Sequence, residues 1–372
     1  MQNNSWELLL SSPFTVGIRL ISDYAFCLAG LAWGRSISNA NEHGTPMAEK
    51  IRWGIIGTGR IAGLFAEGLA RLMDAELAAV GSRSQAKADE FATQFNVPVR
   101  HASYEALVKD SRVDAVYVAT PNSLHAENTL MALKAGKPVL CEKPFAINAR
   151  QAKSVIRSAR AKGILVMEAM WTRFLPSIVR LREMLADGII GDVRTLEAGF
   201  GFQREKREGR LFDPALGGGA LLDIGIYPIS LASMIFGPPS QITGLAEIGP
   251  TGVDEQAGIV LGHSKGQLAV LHNSIRANTF QEASIIGTRG RIRLHREWWK
   301  GSDMTLTLDQ GGEEFLDFPF TGNGYQFEAE AFMKCMRDSE TDNKVMPLDE
   351  TLSIMKTMDA LRAQWGLKYP ME

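Results

Sequence analysis

In Ile51-Arg52-Trp53-Gly54-Ile55-Ile56-Gly57-Thr58-Gly59-Arg60-Ile61-Ala62, an apolar run breaks at a glycine turn and passes into a differently spaced segment. Apolar residues then fall at Ile61, Leu64, Phe65, Leu69 and Leu72, which is helical spacing and extends to Met73. Gly57-x-Gly59-x-x-Ala62 thus lies between a strand and a helix. Gly57 permits the tight turn, Gly59 lets the backbone approach a pyrophosphate, and Ala62 keeps helix and strand close. The helix N-terminus adds N–H donors and the positive end of its dipole. A glycine pattern alone is weak evidence. Between these two elements it predicts dinucleotide contacts at Gly57, Thr58, Gly59, Arg60 and Ile61.

The alternation continues outward. Glu76–Gly81 reads as a strand and Gln85–Phe95 as a helix. Val113–Ala119 is strand-like and closes on Thr120-Pro121-Asn122, and Ser123–Ala135 is a helix ended by Gly136. Pro138–Cys141 follows as a strand, then a helix that Asn148 can cap with Gln151 as capping-box partner. Ile164–Ala169 is the next strand. Strand and helix in turn predict a doubly wound parallel sheet over residues 47–170. Beyond it, Val193–Gln203, Gln241–Ile248, Gly258–Gly262, Gln267–Ile275 and Ala283–Gly287 are strand-like, with shorter runs near Ile292 and Leu306. Helical patterns return at Tyr325–Arg337 and Leu348–Trp365.

The second strand bears on which dinucleotide is bound. An acid for the ribose is expected roughly 20 residues after the glycines. The strand ends instead in Gly81-Ser82-Arg83-Ser84. Without a carboxylate, Ser82 and Arg83 suit a 2′-phosphate, so NADP is favoured and NAD stays possible. Arg83 as a merely solvated loop residue is the alternative.

Two segments carry candidate chemistry. Cys141-Glu142-Lys143-Pro144 closes a strand at the sheet edge where ligands lie. Lys143 there could contact the nicotinamide ribose and lower the pKa of a nearby acid or hydroxyl. Gly217-Gly218-Gly219-Ala220-Leu221-Leu222-Asp223-Ile224-Gly225-Ile226-Tyr227 reads as a glycine loop running into a helix. Asp223 and Tyr227 are four residues apart on one helical face. An acid and a phenol near a lysine form a plausible proton-transfer set, and a buried tyrosine bonded to an aspartate is the alternative.

Together these motifs, with Ala119-Thr120-Pro121-Asn122 and His125, occur in order over residues 50–366. They resemble the glucose–fructose oxidoreductase / inositol dehydrogenase family of NAD(P)-dependent oxidoreductases. Many members carry His where this chain has Tyr227. The tyrosine and Glu168-Ala169-Met170-Trp171-Thr172-Arg173-Phe174 are more similar to the branch of dimeric dihydrodiol dehydrogenase and NADP-dependent D-xylose 1-dehydrogenase.

The resemblance implies an α/β plus α+β protein: a Rossmann domain, then an open, mostly antiparallel sheet domain over residues 171–372 whose last helices return to the first domain. The free sheet face would make a homodimer or higher homo-oligomer. Ala119, Thr120, Asn122, His125, Glu142 and Lys143 would contact cofactor, although His125 could equally cap or pack. Tyr227 would exchange a hydroxyl proton, with Lys143 lowering its pKa and Asp223 orienting the pair or the substrate. Trp171 and Phe174 could form an apolar substrate wall and Arg173 could anchor a substrate oxygen, with core packing as the alternative. The substrate would be an aldose such as D-xylose or a cyclic trans-dihydrodiol. A sugar–sugar oxidoreductase with tightly bound cofactor and a non-catalytic NAD(P) sensor are competing readings.

Composition sets the outer bounds. The 372 residues carry 40 Lys+Arg and 42 Asp+Glu, a net charge of −2, with 45% hydrophobic and 22% charged residues. Near-neutral charge argues against nucleic-acid binding, and no run reaches the roughly 18 apolar residues of a membrane span. Cys27, Cys141 and Cys335 are too scattered for a disulfide framework or a four-ligand zinc site, so no metal is expected. A cytoplasmic location is expected. Residues 1–46 read as an extension before the natural start at Met47, as an export signal around Tyr24–Gly34, or as an ordered arm.

Overall fold

The computed structural model describes residues 49–301 and 303–372, so the readings of residues 1–46 lie outside the described residues. β1 (Ile51–Ile56), β2 (Ala75–Gly81), β3 (Val99–His101), β4 (Ala115–Val118), β5 (Val139–Glu142) and β6 (Val166–Ala169) form one sheet. They pair in parallel in the order β3-β2-β1-β4-β5-β6. The chain reverses its direction of sheet growth between β1 and β4, which opens a crevice at their carboxyl ends. Helices α1 (Arg60–Leu69), α2 (Gln85–Phe95), α3 (Tyr104–Val108), α4 (His125–Lys134) and α5 (Ala149–Lys162) connect the strands. With both faces covered, the strands are near-continuous apolar runs, and Trp53, Ile55, Ile56, Val116, Tyr117 and Val118 are fully buried. Asn148 Oδ1 accepts from the Gln151 N–H at 2.9 Å, while the Gln151 side chain reaches the Ile147 N–H at 3.3 Å instead of the cap residue.

β3 and α3 were not anticipated, because Val-Arg-His is too short to show a period. α1 stops at Leu69, four residues before Met73, whose side chain is solvent-exposed.

After α6 (Pro176–Ala186) comes a second sheet. Its strands are β7 (Val193–Gly201), β8 (Gln241–Ile248), β9 (Asp254–Gly262), β10 (Leu268–Ser274), β11 (Ala283–Gly287), β12 (Gly290–Leu294), β13 (Met304–Leu308) and β14 (Gly312–Leu316). Their order is β14-β13-β12-β11-β7-β10-β9-β8, antiparallel except for the parallel pair β7–β10. One face is buried: Ala257, Ile259 and Leu261 alternate along β9, and Ala269 and Leu271 along β10. α7 (Ile226–Phe236) packs against β7 and β10, and α9 (Leu348–Trp365) against β8. Among the described residues nothing covers the other face, which exposes Leu245, Val260, Leu268 and Val270.

Two helices join the halves: α8 (Tyr325–Arg337) packs on α1, and α9 on α5. The expectation that no run reaches the length of a membrane span is corrected at Pro214–Phe236, which is long and apolar enough by length and composition, yet most of it is buried inside the protein. Its apolarity is that of a core helix.

Candidate active site

A cavity of about 2090 Å³ runs along the carboxyl edge of the first sheet and under the second. At one end lies the glycine turn. Gly57 has φ +105°, and a Cβ there would sit 2.6 Å from the Ala119 carbonyl oxygen. Gly59 meets nothing within 4 Å and precedes α1 with no side chain capping the helix. Its bare backbone and the unspent N–H groups of α1 suit a pyrophosphate. Thr58, Arg60 and Ile61 line the same end. Past β2, Ser82, Arg83, Ser84 and Lys87 line the wall, with Glu90 one helical turn further.

In the middle, Ala119, Thr120 and Asn122 line the cavity beside His125. His125 is buried, with Nδ1 2.7 Å from the Pro144 carbonyl and Nε2 2.8 Å from the Thr120 carbonyl. It therefore clips the loop after β4 to the end of β5. Glu142 is also buried: it accepts from the Tyr117 hydroxyl and from the Lys143 N–H at 3.2 Å. Burial pushes its carboxyl up to about 7 against the pull of Lys143.

Asp223 and Tyr227 arrive from the other half of the chain. Leu221–Gly225 winds as one wide π turn, with the Ile226 N–H reaching back five residues to Leu221. Such turns recur at functional sites. Lys143 Nζ donates to the Asp223 backbone carbonyl at 2.8 Å and lies 4.9 Å from the centre of the Tyr227 ring. Burial works against the Lys143 charge, but Tyr227, Asp223 and Glu142 outweigh it and hold its pKa above the ordinary value. Burial also opposes the Asp223 charge, and Lys143 and Arg210 overcome it, so this carboxyl is held below its usual range.

Tyr227 goes the other way. Burial raises the phenol more than Lys143 and the Trp171 N–H lower it, so its pKa lies above that of free tyrosine. Lys143 thus lowers the phenol's pKa in the expected direction, but burial outweighs it and the ammonium only moderates that cost.

Aromatic side chains surround the phenol. Trp171 Nε1 donates to the Tyr227 hydroxyl at 3.0 Å and stacks on Tyr325 with ring centres 4.8 Å apart. Phe200 stacks on Trp299 and packs 5.5 Å from the Tyr227 ring. All four line the cavity.

Of the residues singled out from sequence, two do not line the cavity. Arg173 is 2% exposed, and all its donors turn inward. Nε reaches the Ser230 hydroxyl at 3.0 Å, Nη1 the Val345 carbonyl at 3.0 Å, and Nη2 the Ser230 carbonyl at 2.9 Å and Glu350 at 2.6 Å. It braces α7 and the start of α9 with four of its five N–H donors and does not line the cavity. Phe174 is buried in the core.

Residues 51–170 match an oxidoreductase family with an NAD-binding Rossmann fold, and residues 178–293 match the GFO/IDH/MocA C-terminal domain. The chain belongs to this family. As a member of the GFO/IDH/MocA family it is an oxidoreductase with a dinucleotide-binding Rossmann domain. It is 35% identical to trans-1,2-dihydrobenzene-1,2-diol dehydrogenase of Mus musculus, covering 87% of this chain and 99% of that one. Among solved structures it is similar to a 3-ketoreductase from Actinomadura kijaniata in complex with NADP and TDP-benzene. That likeness has a TM-score of 0.77 at 27% identity, over 85% of this chain and 98% of the other. An aldose-aldose oxidoreductase from Caulobacter crescentus shares the fold at a TM-score of 0.79 and 24% identity, over 86% and 98% of the two chains.

Sequence reasoning missed Phe200, Tyr325 and Arg210, and the pair Trp298-Trp299 reads from sequence as part of either the subunit interface or the pocket. Adjacent residues face opposite ways here. Trp299 lines the cavity, whereas the Trp298 indole is buried and donates to the Gly199 carbonyl at 3.0 Å. Arg173→Met should cost about 1–3 kcal/mol of stability, because it takes the donors from two carbonyls and one partner from the half-buried Glu350, which Ser233 still meets at 2.7 Å. Thermal denaturation measures the loss, and the folded fraction should keep its substrate KM. A tenfold higher KM at unchanged Tm would return Arg173 to the pocket.

Proposed function

We propose that the protein is an NADP-dependent oxidoreductase moving a hydride between nicotinamide and a carbinol carbon of an aldose such as D-xylose or a cyclic trans-dihydrodiol. The observation that carries this reading is the buried Tyr227 phenol against the Lys143 ammonium, in the cavity that begins at Gly57–Gly59. The names of the relatives, dihydrodiol dehydrogenase and NADP-bound ketoreductase, support the substrate class and the cofactor. So do Arg83 and Lys87 on the cavity wall past β2, where a 2′-phosphate would lie.

When bound, the nicotinamide supplies or accepts the hydride. The chain's own residues hold the substrate and move the proton. Trp171, Phe200 and Trp299 offer apolar faces to a ring, while Asp223 and Lys143 offer polar contacts to its hydroxyls. Tyr227 exchanges the proton of the reacting hydroxyl. Because its pKa is raised, the phenol is protonated at neutral pH and ready to donate. With Trp171 donating into the phenol oxygen, the phenolic proton is left for a substrate oxygen. At neutral pH this favours carbonyl reduction, and oxidation needs the ionised phenol.

The free sheet face supports a homodimer. Leu245 is 85% exposed on the edge strand β8 and Val270 47% exposed on β10, two strands further in. Sedimentation should give a dimer for the native protein and a monomer for Leu245→Glu/Val270→Glu; a native monomer would end this part of the reading.

Initial rates over a panel of aldoses and trans-diols, with NADP and NAD, test the whole proposal. Tyr227→Phe should lower kcat about 100-fold or more with NADPH binding intact. Oxidation should climb as pH rises above neutral, and reduction should hold level until the phenol ionises. Near-full activity in Tyr227→Phe, or oxidation that falls as pH rises, would remove Tyr227 from proton transfer. Equal or better efficiency with NAD would sink the NADP assignment.

A further inference from the structure

The segment Arg204-Glu205-Lys206-Arg207-Glu208-Gly209-Arg210 has mixed charges and reads from sequence as a solvated, mobile loop near the site, with an anion-binding patch as the alternative. The structure gives its arginines different tasks. Arg207 turns away from the cavity and pairs with Glu255, a fully buried carboxylate that Arg276 also meets at 3.2 Å. Arg204 lies over the Phe202 ring, 5.1 Å from its centre. Arg204 and Arg210 both line the cavity, and Arg210 alone of the three bonds Asp223, its Nη2 donating to Oδ1 at 2.7 Å.

That reach is built into the backbone. Gly209 has φ +80° and delivers the chain into a short 3₁₀ turn, Arg210–Phe212. The Leu211 carbonyl accepts from the Gly219 N–H at 2.8 Å. A Cβ on Gly218 would lie 2.6 Å from the Leu211 carbonyl oxygen and 2.7 Å from that of Arg210. The middle glycine of the triple-glycine loop is therefore what admits the Arg210 backbone beside Asp223. Arg207 on Glu255 holds the segment from its other side.

Asp223 is consequently held at two points. Its backbone carbonyl is taken by Lys143 and Oδ1 by Arg210, whereas no described residue donates to Oδ2. The carboxylate is partly open to the cavity, at 15% side-chain exposure. With one oxygen pinned, the carboxylate presents the other in a fixed direction.

We infer that Arg210 is a positioning residue: by holding Oδ1 of Asp223 it aims Oδ2 at the substrate hydroxyl adjacent to the one that exchanges its proton with Tyr227. The inference rests on the function proposed above. Both substrate classes named there carry such a neighbouring hydroxyl, so Arg210 would favour vicinal diols and polyols over simple alcohols. The charged and titratable groups facing Asp223 are Lys143, Arg210, Arg204, Tyr227 and Tyr369. Of these, Arg210 alone bonds the carboxylate side chain.

The test is a kinetic cycle on the full-length protein with Arg210→Gln, Arg210→Lys, Asp223→Asn and the Gln/Asn double variant. D-Xylose and trans-cyclohexane-1,2-diol serve as substrates. Arg210→Gln should raise the substrate KM about tenfold or more, with kcat reduced less and the KM for NADP within about twofold. Arg210→Lys should recover most of the loss. In the Asp223→Asn background, Arg210→Gln should add nothing further, because its route of action is gone. Removing the cation raises the Asp223 pKa, so the acid limb of kcat/KM should move to higher pH. The Asp223 carboxyl should show the same upward shift in a ¹³C NMR titration of the protein without substrate. An unchanged KM, an unchanged titration, or a full Arg210→Gln effect persisting in Asp223→Asn would each overturn the inference and leave the proposed function standing. A native protein inactive on the whole panel despite a normal titration shift would overturn the proposed function and the aim of Oδ2 with it.

Discussion

One hydrogen bond, from Lys143 Nζ to the Asp223 carbonyl at 2.8 Å, makes a single reaction centre from two sheets. Lys143 follows β5 of the parallel sheet, and Asp223 sits in the wide turn that opens α7 beneath the second sheet. Neither half holds both the ammonium and the phenol. Other bonds fix the two ends of this contact. His125 secures the Pro144 side, and the Asn122 amide donates to the Gly217 carbonyl at 2.8 Å. The Tyr369 hydroxyl donates to the Gly218 carbonyl at 2.7 Å, and Asp254 accepts from the Leu221 N–H at 2.6 Å. A Cβ on Gly219 would lie 2.3 Å from Asp254 Oδ1. The glycine run is thus bare because its neighbours crowd it, and that crowding holds the turn carrying Asp223 and Tyr227.

The same contact governs the electrostatics. Burial alone would neutralise Lys143, Asp223 and Tyr227. Mutual attraction keeps Lys143 charged and Asp223 ionised, but burial still wins at Tyr227. A site with a firm cation, a firm anion and a reluctant phenol suits donation of a proton to a carbonyl oxygen. It accepts one from an alcohol only when the phenol ionises.

Much of this was legible in the sequence because it rests on local rules. Gly57 and Gly59 between strand and helix, Arg83 in place of an acid, and Lys143 at a strand end all follow from short-range pattern and from where ligands lie in such sheets. What escaped depends on contacts far along the chain. Arg173 reads as a substrate anchor until Glu350 and Val345, more than 170 residues later, take its donors. Arg210 reads as solvated until the bare Gly218 admits it next to Asp223. Trp298 and Trp299 differ only in which face each presents, and no period is visible in two residues. β3 and β14 were missed for a different reason: Val-Arg-His is too short, and the acidic edge strand Gly312–Leu316 has no buried face.

The claim on which the account turns is that Lys143 acts on Tyr227 across this junction. The direct measurement is the titration of the Tyr227 phenol, followed by ¹³C NMR of ring-labelled tyrosine in the native protein and in Lys143→Met. Lys143 is the first of the groups that lower the phenol's pKa, so its removal should shift the midpoint to higher pH while the other tyrosines stay in place. A Tyr227 midpoint that is the same in both proteins would contradict the account.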